Sequence, residues 1–130
     1  VFDPKEFIIV CQSLCCPGRS EAEYRTAISR ALYGVFLWAR EELENREQKV
    51  KVLGNDKSSE HSKVRERFKH GKFRNDQVSQ RLGALYDLRW RSDYVLDTSI
   101  KHTDVQQALL YVDYIKEAFE TLFPPPNPPT

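Results

Sequence analysis

In the stretch LYDLRWRSDYVL, residues 85–96, Arg89 and Asp93 stand four apart among residues spaced to bury one side of a helix. At about 100° per residue, Val78, Leu82, Leu85 and Leu96 project from one stripe, with Arg89 in its middle and Asp93 at its edge. Arg25 falls in the apolar sector of an earlier stretch, beside Leu32 and Leu43, while Arg30 points to another side. An unpartnered guanidinium out of water costs several kcal/mol, so each arginine on a packing face needs an anion or open water. Two chemistries satisfy that need. Asp93, one turn after Arg89, closes an ion pair that fixes helix register, and Glu23 or an acid across the bundle serves Arg25. Alternatively the stripe faces a groove or a second subunit, and the planar guanidiniums stand ready for phosphate oxygens. Spacing alone leaves both open.

Proton transfer near neutral pH has three candidate imidazoles, His61, His70 and His102. Three cysteines, Cys11, Cys15 and Cys16, crowd one short stretch. Their number is odd, and adjacent cysteines bridge each other only with strain, so they read as free thiols in a reducing, cytoplasmic setting. Cys-x3-Cys-Cys is not a zinc-knuckle spacing, and no metal or cofactor is expected. The opening, VFDPKEFIIVCQSLCC, lacks a cationic leader, and no run of 18 apolar residues is present, so neither a secretory signal nor a membrane span is expected. Lys and Arg total 20 against 19 Asp and Glu, so net charge argues for no particular partner. Its distribution is more informative. Residues 61–91 hold nine basic side chains (Lys63, Arg65, Arg67, Lys69, Lys72, Arg74, Arg81, Arg89, Arg91) against Glu66, Asp76 and Asp87, whereas EELENRE at 41–47 leans acidic. A one-sided positive field attracts phosphate, although scattered charges on a solvated face give the same count.

The elements that must position these groups all have helical spacing. A first helix is expected from Pro4 to about Cys16, with Asp3 as N-cap and Pro17-Gly18 as stop. A second opens with the capping-box pattern of Ser20 and Glu23, gathers Ile28, Leu32, Val35, Phe36, Ala39 and Leu43 on a wide face, and runs to about Gln48. LGNDKSS reads as a loop, and a short basic helix in EHSKVRERFKHG stops at Gly71. A fourth helix runs from near Asn75 to about Val95. A fifth opens at Thr103 and lines up Val105, Ala108, Leu109, Val112, Ile115, Phe119 and Leu122. FPPPNPPT cannot continue a helix, so residues 124–130 are expected to form a disordered tail beyond a single domain spanning 1–123. The predicted architecture is an all-α, up-and-down antiparallel bundle of four to five helices.

Three segments, in order, resemble HEPN-domain proteins over roughly residues 20–123. EAEYRTAISRALYGVFLWAREEL is similar to the long helix of that family, SSEHSKVRERFKHGKF to a middle segment with a His-Ser pair, and LYDLRWRSDYVL to the late helix of a prokaryotic branch with an Arg-x-x-x-Asp-Tyr pattern. The resemblance implies a small bundle that forms homodimers and works with RNA. Many HEPN proteins are metal-independent endoribonucleases in toxin–antitoxin or prokaryotic defence systems. Others are non-catalytic, binding RNA or a nucleotide or partnering a nucleotidyltransferase, and a purely structural dimerising bundle is a further option. Active members carry Arg followed by His four to six residues later. Here Arg89 takes the Arg position, but Asp93 and Tyr94 occupy the following turn and the His is missing. Arg65 and His70 meet that spacing in the middle segment, outside the late helix, and are set aside.

Metal-free RNA cleavage needs a base for the 2′-hydroxyl proton, an acid for the leaving oxygen and a cation for the phosphorane charge. Arg89 is the candidate cation, His61 the candidate proton carrier and Asp93 the partner that orients Arg89, with Tyr94 or Tyr33 as hydrogen-bond donors. Arg25, Arg30, Lys63, Arg65, Lys69 and Arg91 are the candidate RNA- or phosphate-binding residues.

Overall fold

A computed structural model describes residues 1–46 and 59–125, and among these every regular element is an α-helix. The helices are α1 (Lys5–Leu14), α2 (Glu21–Asn45), α3 (Ser59–Lys69), α4 (Asp76–Tyr94) and α5 (His102–Leu122). None of the described helices is long and apolar enough to cross a membrane.

The helix starts follow local side-chain chemistry. Asp3 accepts the Lys5 N–H at 3.0 Å, while Pro4, at φ −59° and ψ −22°, is already helical and supplies the first-turn φ. Ser20 Oγ accepts from Glu23 N–H at 3.1 Å, and the Glu23 carboxylate accepts from Ser20 N–H at 3.0 Å, closing the expected box. Asn75 caps α4 by accepting from Val78 N–H at 3.1 Å. At α5 the start differs from expectation: the helix begins at His102 rather than Thr103, and Asp104 reaches back, accepting the Lys101 N–H at 2.8 Å. A lysine side chain has no acceptor, so Lys101 stands where a hydroxyl would complete the box, and Thr103 is inside the first turn.

The stops differ more. α1 ends at Leu14 rather than Cys16, and the chain turns through Gly18 at φ 85°. α4 ends at Tyr94; Val95 is extended, so Leu96 leaves the helical stripe and is 84% exposed instead of buried. α2 is described to Asn45, and the expectations for Gln48, for the loop over 53–58 and for the tail beyond Pro125 lie outside the described residues.

Helix α2 is the centre. Ala27, Ile28, Ala31, Leu32, Val35, Phe36, Ala39 and Leu43 are all buried, so it carries apolar surface over most of its circumference. Its small residues admit close neighbours: a Cβ added at Gly34 would lie 2.6 Å from Ile8 Cγ1, which sets how near α1 packs. Helices α1, α2, α4 and α5 alternate in direction. Lys5 lies over Trp38 while Cys16 accepts from the Tyr24 hydroxyl, so α1 and α2 are antiparallel. Arg25 reaches the end of α4, whereas the Tyr24–His102 and Trp38–Phe119 contacts run α2 and α5 the same way. Short α3 is an addition to that four-helix set, anchored by Phe68 stacked at 5.6 Å on Phe119. The result is the all-α bundle expected from the periodicity.

Candidate functional site around Arg89 and His61

Helices α2, α3 and α4 bring Tyr33, His61 and Arg89 to one edge of the bundle. Arg89 Nη2 donates to the Tyr33 hydroxyl at 2.6 Å, and Arg89 Nε lies 3.1 Å from Asp93 Oδ2, one turn on. The Nε–H is buried and does not point at that oxygen, so Asp93 is an ion-pair partner rather than a hydrogen-bonded clamp. The Arg89 guanidinium also lies 5.3 Å from the Tyr33 ring centroid and 5.7 Å from that of Tyr94. Its side chain keeps 12% exposure and that of Asp93 31%. The arginine is therefore lined by aromatic rings and held on one side by a carboxylate that water still reaches.

His61 sits in the first turn of α3 and is half-buried. Its ring stacks on Phe36 at 4.0 Å and 25°, is tilted against Tyr86 at 5.1 Å and meets Tyr33 edge-on at 6.1 Å. Burial, then the positive charge of Arg89, hold its pKa below the usual imidazole value, with Glu60 opposing. His61 is therefore neutral at pH 7 and able to accept a proton. Inward from His61, a cavity bounded by Leu32, Phe36, Val64, Arg65, Leu82 and Tyr86 has a volume of about 10 Å³. That is barely one water, so a ligand can meet these groups only from the outer edge.

The other expected residues scatter. Arg25 is not turned toward a ligand: Nη1 donates to the carbonyls of Ser92 (2.8 Å), Val95 (3.1 Å) and Arg91 (3.3 Å), Nη2 to that of Thr98, and Nε to Glu21 at 3.2 Å. The last carbonyls of a helix lack intrahelical partners, and Arg25 supplies them for α4. Glu21 completes the strap, accepting from Ser99 Oγ at 3.2 Å and Ile100 N–H at 3.1 Å. The acid serving Arg25 is thus Glu21, whereas Glu23 pairs with Arg19 at 3.0 Å. Arg65 also works inside the fold. Its Nε donates to the Ser79 carbonyl at 3.3 Å, and its guanidinium lies against Gly83, where a Cβ would meet Nη2 at 2.6 Å. Lys63 is half-buried on α3 and Lys69 and Arg91 are exposed, and among the described residues none of the three joins an ion pair. Arg30 stays with the cluster, its guanidinium 5.4 Å from the Tyr33 ring and 4.8 Å from that of Phe7, donating to Ser29 Oγ at 3.2 Å. Among the described residues no carboxylate lies within ion-pair distance of it.

Phe36 and Tyr86, the walls of the His61 site, read in the sequence only as core aromatics. Their 50-residue separation carried no signal that one imidazole would lie between them. The thiols form no centre: Cys11, Cys15 and Cys16 are free, and burial pushes Cys11 up to about 12. Among the described residues, no three His, Cys, Asp or Glu side chains are placed to hold a metal ion.

Comparison with family models, with curated proteins and with solved structures gives no match to this chain.

Proposed function

We propose that this chain is a HEPN-type protein that acts on RNA through the Arg89–His61 edge, as a metal-independent endoribonuclease working as a homodimer. The observation that carries the reading is the meeting, from three helices, of a cation with spare donors, a neutral imidazole and a phenol hydroxyl. Neutral His61 takes the proton from the 2′-hydroxyl, and the 2′-oxygen attacks phosphorus. Arg89 balances the charge gathering on the phosphorane oxygens, with Asp93 holding its guanidinium in place. The imidazolium so formed on His61 returns that proton to the departing 5′-oxygen, which balances the step.

The test is incubation of the purified chain with single-stranded RNA in EDTA. The expected result is cleavage to 2′,3′-cyclic phosphate ends, lowered at least about 100-fold by Arg89→Ala or His61→Ala. Absence of cleavage, or equal cleavage by Arg89→Ala, removes the nuclease reading. RNA binding that weakens between 50 and 300 mM salt would then leave the non-catalytic RNA-binding version standing.

A second reading rests on the low exposure of Arg89. With 12% of its side chain reached by solvent and both Asp93 and Tyr33 engaged, it also suits a register-fixing polar contact between α2 and α4. Under that reading Arg89→Ala alters stability and leaves RNA affinity untouched.

A further inference from the structure

Trp90 and Tyr94, one turn apart on the outer face of α4, are 50% and 58% exposed, with ring centroids 4.5 Å apart and an interplanar angle of 41°. Large aromatics are seldom left this open without a use, because each withholds substantial apolar area from the core. These two are not isolated. Arg30 lies 5.4 Å from the Tyr33 ring, Arg89 5.3 Å from that same ring and 5.7 Å from Tyr94, and Tyr94 meets Trp90. Cation, ring, cation, ring, ring follow one another from the half-buried edge to open solvent.

We propose that this ladder is a subsite for single-stranded RNA, in which Arg89 and Arg30 hold successive phosphates and the Trp90–Tyr94 rings stack the unpaired base beside the one on Arg89. The inference rests on the RNA reading above and narrows it to unpaired substrate. Guanidiniums spaced by rings match a strand whose phosphates alternate with flat apolar bases. A duplex cannot use the rings, because its bases already stack on each other and show only their edges. A second copy of the chain is the competing occupant. It fits less well, because Asp87, Arg91 and Asp93 border the rings, and charged residues are depleted at the centre of protein interfaces.

The chain has two tryptophans, and Trp38 packs edge-on against Phe119 away from the ladder, so a Trp38→Phe chain reports on Trp90 alone. Titration with a 12-nucleotide single-stranded RNA is expected to quench Trp90 emission. An abasic strand of equal length is expected to bind more weakly without quenching, as is a duplex. Trp90→Ala is expected to lower single-stranded affinity about 10- to 100-fold without moving the unfolding midpoint, and Trp90→Tyr to restore most of it. RNA binding that Trp90→Ala leaves within twofold overturns the stacking site while the RNA reading survives. No binding of any strand overturns both. Trp90 emission that shifts with protein concentration and ignores RNA assigns the rings to a second copy and also overturns the subsite.

Discussion

Arg25 and Arg89 look alike along the chain, yet they meet opposite surroundings. Each is an arginine within the apolar sector of a long helix. Arg25 lies beside the end of α4 and donates to the Ser92 carbonyl, which has lost its helical partner. It also donates to those of Val95 and Thr98 just beyond the helix, and to that of Arg91, which the Val95 N–H also bonds. Arg89 faces the middle of α2 at Tyr33, where the carbonyls are already bonded within the helix, so it finds only a phenol oxygen and, on its own helix, a carboxylate. A guanidinium beside a helix terminus becomes part of the backbone hydrogen-bond network; one beside a helix middle retains donors for something else. Whether the fold consumes an arginine's donors is therefore set by where the neighbouring helix stops.

The comparison is most easily broken at Arg25. Arg25→Ala strands the carbonyls of residues 92, 95 and 98 and is expected to destabilise the fold by about 3 kcal/mol in urea unfolding. Lysine at the same place should recover less than half, since it has no fork to span several carbonyls. A loss under about 1 kcal/mol for Arg25→Ala would erase the distinction.

Next in size is the approach of α1 to α2. Gly34→Ala would force a methyl against Ile8 and is expected to cost about 2 kcal/mol, measured as a lower unfolding midpoint. It should leave RNA binding at the α2–α4 edge unchanged.

A smaller effect is expected at Arg89 itself. Asp93 remains partly solvated when the arginine is removed, so a double-mutant cycle at Arg89 and Asp93 should give a stability coupling of about 0.5–1 kcal/mol. Coupling near 3 kcal/mol would place Arg89 in the same structural class as Arg25.

The smallest effect is the pH dependence of His61. Its pKa is depressed in the fold by burial and by Arg89, so the unfolded chain binds the proton more readily. The stability His61 contributes is thus fully present above the ordinary value of 6.5 and is lost as pH falls through the lowered one. His61→Gln should flatten the slope of stability against pH in that interval, and Arg89→Ala should move the His61 titration, followed by NMR, upward. An imidazole that titrates at the same pH in both chains would separate the two residues and weaken the composite site.

Much of the fold was legible from local chemistry. The Ser20–Glu23 box, the Asn75 cap and the buried faces of α2 and α5 follow from spacing that acts within a few residues. The misread positions are those where a helix end is set by packing: α4 unwinds at Tyr94, carrying Leu96 out of the stripe, because Arg25 and Glu21 hold residues 95–100 as a connection. The candidate site was legible in part. Arg89 and Asp93 are one turn apart on any helix, so their pairing needed no tertiary knowledge. The enclosure of His61 by Phe36, Tyr33 and Tyr86 depends on three helices meeting, and no interval along the chain encodes it.

The amino-acid order by itself determined that the chain is helical, which faces are apolar, and that two of those faces carry arginine, because periodicity and capping are short-range effects. Only the tertiary structure decided which arginine is consumed by the fold and which stays near solvent. That choice depends on where unpaired carbonyls, carboxylates and rings from distant segments come to rest around each guanidinium.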